Sequence, residues 1–179
     1  MIIISGNAGS GKTTQGRLLA AKLGCPFFSM GELLRKYGSP QIQAKMADGE
    51  LLSNAETLPI LETFFAGFNG SRTELVTDGF PRSTDQAKWI IDEINSGRLK
   101  FTALVHLRLP ESKSESRLLS RGRSDDTEDA ILTRFREQEP KLEEVLKLFK
   151  EHGLKVAEVD AEGTVEEVAA RIDRAISGH

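Results

Sequence analysis

Met1-Ile2-Ile3-Ile4-Ser5-Gly6-Asn7-Ala8-Gly9-Ser10-Gly11-Lys12-Thr13-Thr14 opens the chain and decides its fold. Four apolar residues, three of them β-branched, read as a buried strand; the glycine-rich stretch reads as a loop, and a helical pattern begins at Lys12. Gly6, Gly11, Lys12 and Thr13 fill the spacing G-x-x-x-x-G-K-[ST] of a phosphate-binding loop. The chemistry explains the spacing. Glycine lets backbone N–H groups close around a phosphate, the helix N-terminus adds partial positive charge, Lys12 brings an ammonium, and the Thr13 hydroxyl can meet a magnesium ion. A polyphosphate is the expected ligand.

Outward from this stretch, strands alternate with helices. Helix one is expected over 12–23, with Leu18, Leu19 and Leu23 inward and Gly24 as its stop. Residues 26–28 form a short strand. Ser29 and Glu32 have the spacing of a capping box, so a helix opens there and carries Leu33, Leu34 and Arg35 until residues 38–40 end it. A short helix covers 41–47, Asp48-Gly49 breaks the chain, and Ser53 with Glu56 caps a helix through Leu58, Leu61, Phe64, Phe65 and Phe68. Core strands are expected at 75–78, 101–109 and 154–159. Helices are expected over 84–96, from Pro110, over 126–151, and after a Thr164/Glu167 cap with a stripe of Val165, Val168, Ala169, Ile172 and Ile176. Residues 67–73 and 120–127 read as loops. This alternation implies right-handed crossovers and a doubly wound, five-stranded parallel α/β sheet with helices on both faces. Ligands of such sheets sit beyond the carboxyl ends of the strands, so the glycine loop and Asp78 with Arg82 should open on one crevice.

The 179 residues are expected to form one domain with small insertions. Acidic residues outnumber basic ones by 27 to 24, which argues against nucleic acid as the main partner. No stretch approaches the roughly twenty apolar residues of a membrane span. Cys25 is the sole cysteine, so no intramolecular disulfide is expected and a reducing cytoplasm is the expected compartment. Cys25 reads as a small core residue, His106 as a strand histidine and Trp89 as packing. Asp125 and Asp126 read either as helix-starting anions or as groups used in lid closure. Arg35, Arg82, Arg117, Arg121, Arg123 and Arg134 form a surplus of cations in loops, at helix starts or beside apolar stripes. Two phosphorylated substrates held end to end would require it, because charge must be neutralised along the whole phosphate chain.

The sequence resembles the adenylate kinase group of nucleoside monophosphate kinases along nearly its whole length, in its short-lid form. Gly6 to Lys12 looks like that family's glycine loop, and Ser29-Met30-Gly31-Glu32-Leu33-Leu34-Arg35 resembles its S-T-G-D-L-L-R segment. Asp78-Gly79-Phe80-Pro81-Arg82 with Gln86 is similar to D-G-F-P-R-x-x-x-Q. Arg117-x-x-x-Arg121 and Arg123-x-Asp125-Asp126 with Arg134 look like its lid elements. The resemblance implies a phosphotransferase moving the ATP γ-phosphoryl group to AMP, a cytoplasmic monomer, and Mg2+ held by Thr13 and Asp78, partly through water. It implies that ATP meets the loop from Gly6 through Asn7, Ala8, Gly9, Ser10 and Gly11 to Lys12, Thr13 and Thr14, with Arg117 on the adenine and Arg121 on the phosphates. The monophosphate would meet Ser29, Met30, Arg35, Gly79, Arg82, Gln86, Arg123 and Arg134, with Gln86 reading the base. Lys12, Arg82, Arg121, Arg123 and Arg134 would carry catalysis. Residues 29–69 would be a flap over the monophosphate and 121–134 a minimal lid. Departures from the pattern are a trimmed lid, Thr13 in place of glycine and Met30 in place of threonine; the last keeps UMP, CMP or a broader set open as acceptors. A nucleotide-binding regulator or ATPase without transfer is the reading from another class.

Overall fold

The computed structural model describes residues 1–50, 52–68, 73–123 and 126–177. Asn69, Ser124 and Asp125, on which parts of the expected flap boundary and lid motif fall, lie outside them. The elements are β1 (Ile2–Gly6), α1 (Lys12–Leu23), β2 (Phe27–Ser29), α2 (Met30–Tyr37), α3 (Pro40–Ala47), α4 (Asn54–Ala66), β3 (Val76–Asp78), α5 (Thr84–Asn95), β4 (Ala103–Arg108), α6 (Glu111–Arg121), α7 (Glu128–Glu151), β5 (Val156–Asp160) and α8 (Val165–Ser177). The five strands are all parallel in the order β2-β3-β1-β4-β5. The expected α/β class and strand count are therefore those of the molecule.

Alternation along each strand divides the core into two layers. Ile2, Ile4, Val76, Val105 and Leu107 pack with Leu19 and Ala20 of α1 and Val168 and Ile172 of α8. Ile3 and Leu104 face the other way, toward Phe28, Ile90 of α5 and Val145, Leu146 and Phe149 of α7. An aromatic cluster seats α4 on this second layer: Phe64 lies 4.3 Å from Phe28, Phe65 5.4 Å from Trp89, and Phe80 6.2 Å from Trp89. Trp89 is thus packing, as expected. Cys25 is half-buried beside Phe27 at the edge of the first layer.

Four details depart from the sequence expectation. Leu18 and Leu23 are 45% and 46% exposed, and α1 turns Gln15, Gly16, Leu19 and Ala20 inward instead. The Phe27 ring sets this rotation: a Cβ on Gly16 would stand 2.5 Å from it, so the glycine is the residue that lets α1 approach β2. Val165 is exposed at the first turn of α8, where its carbonyl accepts from Gln15 Nε2. Ser120, expected in a loop, lies in the last turn of α6. The long helix starts two residues late, at Glu128, with the Thr127 side chain accepting from Ala130 N, because Asp126 is drawn under the chain by two arginines.

Register positions the crevice. Ile4 and Ser29 both pair with Asp78, and Gly6 pairs with Leu107, so β1, β2 and β3 deliver the glycine loop, Ser29 and Asp78 to one edge of the sheet.

Candidate active site

The glycine loop takes its path from close packing. Gly6 has φ +141° and a Cβ there would stand 2.5 Å from the Leu107 carbonyl; Gly9 has φ +80° and a Cβ would stand 2.6 Å from that of Ser114. The loop therefore lies directly on the end of β4 and the start of α6. Lys12 Nζ donates to Asn7 O at 2.7 Å, across the mouth of the loop, and Asn7 Nδ2 donates to Glu139 Oε1 of α7 at 2.9 Å. Burial lowers the Lys12 ammonium to about 8, with Arg82, Arg121 and Arg134 adding to the shift and Asp78 opposing it. Three guanidiniums and one carboxylate thus act on the Lys12 ammonium, and a bound anion would add to the side of Asp78.

Thr13 Oγ1 donates to Asp78 Oδ2 at 2.5 Å, and Ser29 Oγ donates to the same oxygen at 3.3 Å. Asp78 is buried. One hydroxyl and one carboxylate are hard oxygen donors suited to magnesium, which commonly takes only one or two protein ligands and fills its octahedron with water and phosphate. Among the described residues no group of three or more His, Cys, Asp or Glu is placed to enclose a metal.

Two cavities flank this loop. The first lies beyond β1, β2 and β3, walled by the loop from Gly6 to Gly9, by Ser29 and Asp78, and by Arg35, Arg82 and Arg134. Its far wall carries Met46, Gly49 and Glu50 and, from α7, Gln138 and Leu142. The second lies between the loop, α6 and the turn before α8, and holds Ser10, Gly11, Thr14 and Arg117. Gly9, Lys12, Thr13, Arg121 and Arg123 line both. Arg117 reaches across to the Ala161 carbonyl at 3.2 Å.

The arginines are held in specific geometries. Arg82 Nε donates to Gly79 O at 3.0 Å, and burial lowers its guanidinium from the usual range, with Asp78 opposing the shift. Arg121 grips Asp126 through Nε and Nη2 at 2.8 and 2.7 Å, and Arg134 Nη1 meets the same carboxylate at 2.9 Å. Burial alone would raise the Asp126 carboxyl; the two guanidiniums outweigh it and hold it below the ordinary range. Arg134 Nη2 also donates to the Met46 carbonyl at 3.2 Å, tying α7 to α3.

Most of the sequence-expected residues meet at the two cavities, but two of them line neither. Met30 is buried in the core beside Phe28 and Leu34, and the Gln86 amide is buried behind Arg82. Sequence reasoning did not find Glu139, Gln138 or Leu142 of α7, or Met46, Gly49 and Glu50 at and after the end of α3. A signal for part of this set existed: Arg134, Gln138 and Leu142 recur every fourth residue and so share a helix face.

The comparisons with known proteins agree with one another. A family model described as adenylate kinase matches residues 4–154. An adenylate kinase of Mycolicibacterium vanbaalenii is 34% identical with 98% of each chain covered, and one of Nocardia farcinica is 37% identical with the same coverage. One of Synechococcus sp. strain CC9902 is 34% identical over 96% of this chain and 95% of its own.

Proposed function

This chain belongs to the adenylate kinase family, and we propose that its two cavities hold ATP and AMP with the phosphoryl group passing at the residues the cavities share. The function is that of an adenylate kinase, a phosphotransferase. The observation that supports this division of the site is the common wall of Gly9, Lys12, Thr13, Arg121 and Arg123: one group of cations faces both cavities, as a phosphoryl group in transit requires.

In this reading ATP lies in the second cavity with its base toward Arg117 and its phosphates on the glycine-loop amides and Lys12. AMP lies in the first, its phosphate between Arg35 and Arg82. An oxygen of that phosphate attacks the γ-phosphorus in line, and the bond from γ-phosphorus to the bridging oxygen of ADP breaks. No protein nucleophile intervenes. Lys12, Arg121, Arg123 and Arg134 stabilise the charge spread over the transferring oxygens, and positioning supplies much of the remaining rate. Thr13 and Asp78 fit a magnesium ion, Asp78 through water, which when bound would neutralise phosphate charge. Residues 29–69 act as the acceptor flap and 121–134 as the lid. A cytoplasmic monomer is the setting we propose, supported by the single cysteine and by the family resemblance. No helix among the described residues is long and apolar enough to cross a membrane.

The test is product analysis with magnesium-ATP alone and with AMP, UMP, CMP or GMP added singly. Two ADP per ATP consumed, with AMP only, is the expected result. Preference for a pyrimidine monophosphate would move the acceptor, and ADP with free phosphate in every reaction would replace transfer by hydrolysis.

A further inference from the structure

A chain of hydrogen bonds joins Thr57, at the start of α4, through Gln86 to the backbone of Arg82, and Thr57 has no part in the roles assigned above. Thr57 and Gln86 are each 4% exposed. Thr57 Oγ1 donates to the Ser53 carbonyl at 3.0 Å, so its hydrogen is committed and its oxygen can only accept. Gln86 Nε2 donates to that oxygen at 3.0 Å and, more weakly, to Asn54 Oδ1 at 3.4 Å. Gln86 Oε1 then accepts the Arg82 backbone N–H at 2.8 Å. The orientation of the amide is dictated at both ends, because Arg82 N can only donate and Thr57 Oγ1 can only accept. The contact is reinforced from the side: Ser83 Oγ donates to Asn54 Oδ1 at 2.9 Å and Asn54 Nδ2 to Asp85 Oδ2 at 2.7 Å. Arg82 has its backbone fixed by Gln86 and its Nε fixed on Gly79 O.

We infer that Thr57 is a positioning residue for the acceptor phosphate: its hydroxyl fixes the Gln86 amide, Gln86 fixes the backbone of Arg82, and the acceptor arginine is thereby aimed only when α4 is seated on α5. This rests on the reading that Arg82 binds the acceptor phosphate. It gives the buried Gln86 a task from where it stands, and makes α4 part of the acceptor site although Thr57 lines neither of the two cavities. Without the hydroxyl, Gln86 Nε2 keeps only the long contact to Asn54, the amide is free to rotate, and the Arg82 N–H loses a defined partner.

The experiment is initial-rate kinetics with AMP and ATP varied in turn, together with thermal melts, on the wild type and on T57V, T57A, T57S and R82A. The hydroxyl-lacking variants are expected to raise the AMP KM roughly tenfold, while the ATP KM stays within about twofold of wild type. T57S keeps the hydroxyl and should restore the AMP KM. An unchanged AMP KM in T57V and T57A, an equal rise in both KM values, or a T57S enzyme as impaired as T57V would each overturn the relay. R82A separates the two levels: if it leaves AMP kinetics untouched, the reading of the acceptor end fails, whereas a defective R82A beside normal T57V and T57A rejects the relay alone.

Discussion

Lys12, which we propose binds phosphate, is held where the unliganded fold gains little from its charge. Its ammonium is held among arginines and pulled down to about 8 by burial, so the fold gains little from it before an anion arrives. Lys12→Met should therefore reduce kcat/KM by at least about a hundredfold without lowering the melting temperature, which a coupled assay and a thermal melt would check together; a large loss of stability would mean the lysine is structural. His106 gives a different residue-scale prediction. It lies buried in β4, its Nδ1 has no hydrogen-bond partner among the described residues, and burial lowers it to about 4 despite the opposing Glu158 carboxylate; Arg108, Lys12 and Lys150 add to the shift. An unfolded imidazole titrates near 6.5, so between about 6.5 and 4 the unfolded chain binds the extra proton and stability falls as the pH falls. That gap corresponds to ~3 kcal/mol, fully felt only below about pH 4. Urea titrations at pH 7 and pH 4.5 should show a smaller loss for His106→Asn than for the wild type, and equal losses would place the proton uptake elsewhere. The sequence allows His106 to be read as a strand histidine, but not its charge state, which depends on which neighbours the sheet places around it.

At the scale of the element, what was legible was whatever local chemistry controls. The glycine loop, the Ser53/Glu56 and Thr164/Glu167 caps and the Gly24 stop all act within a few residues, and each stands where the pattern put it. The rotation of α1 was not legible, because Leu18 and Gly16 differ in which of them meets Phe27, a residue delivered by the next strand. Asp126 was ambiguous for the same reason: its position before α7 suits a helix-starting anion, and only the arrival of Arg121 and Arg134 makes it their common counter-ion. Gly49, between α3 and α4, shows the same dependence on a distant partner. It has φ +77°, and a Cβ there would stand 2.4 Å from the Ala130 carbonyl, so the turn after α3 leans on the first turn of α7 through a bare backbone. Gly49→Ala should cost about 2–4 kcal/mol in chemical denaturation, combining left-handed strain with a contact that backbone must yield to. It should also raise the AMP KM more than the ATP KM, since Gly49 lines the first cavity, where AMP is proposed to bind; a neutral change in stability would show that the loop re-routes freely.

Across the whole molecule, one chain of contacts joins α6, α7 and α3. Arg121 at the end of α6 holds Asp126, Asp126 holds Arg134 of α7, and Arg134 holds the Met46 carbonyl of α3. The Asp126 side chain is fully buried in this chain of contacts, with a guanidinium on each side. With residues 121–134 as the proposed lid and 29–69 as the proposed flap, little surface is available to exclude water, so exclusion would depend on this connection drawing the two together over the shared wall of Lys12 and Arg123. Asp126→Asn keeps the shape but removes a charge that Arg121 and Arg134 both meet, and breaking such a buried pair typically costs about 3–5 kcal/mol. Transfer to AMP should fall by roughly tenfold or more, and the fraction of ATP lost to free phosphate should rise, because a γ-phosphate held under a loosened lid meets water more often than AMP. Measuring phosphate release against ADP formation in the same reaction separates this from simple damage. A variant that slows transfer while keeping the wild-type ratio of ADP to phosphate would mean that Asp126 supports the fold and that water is excluded by some other part of the site.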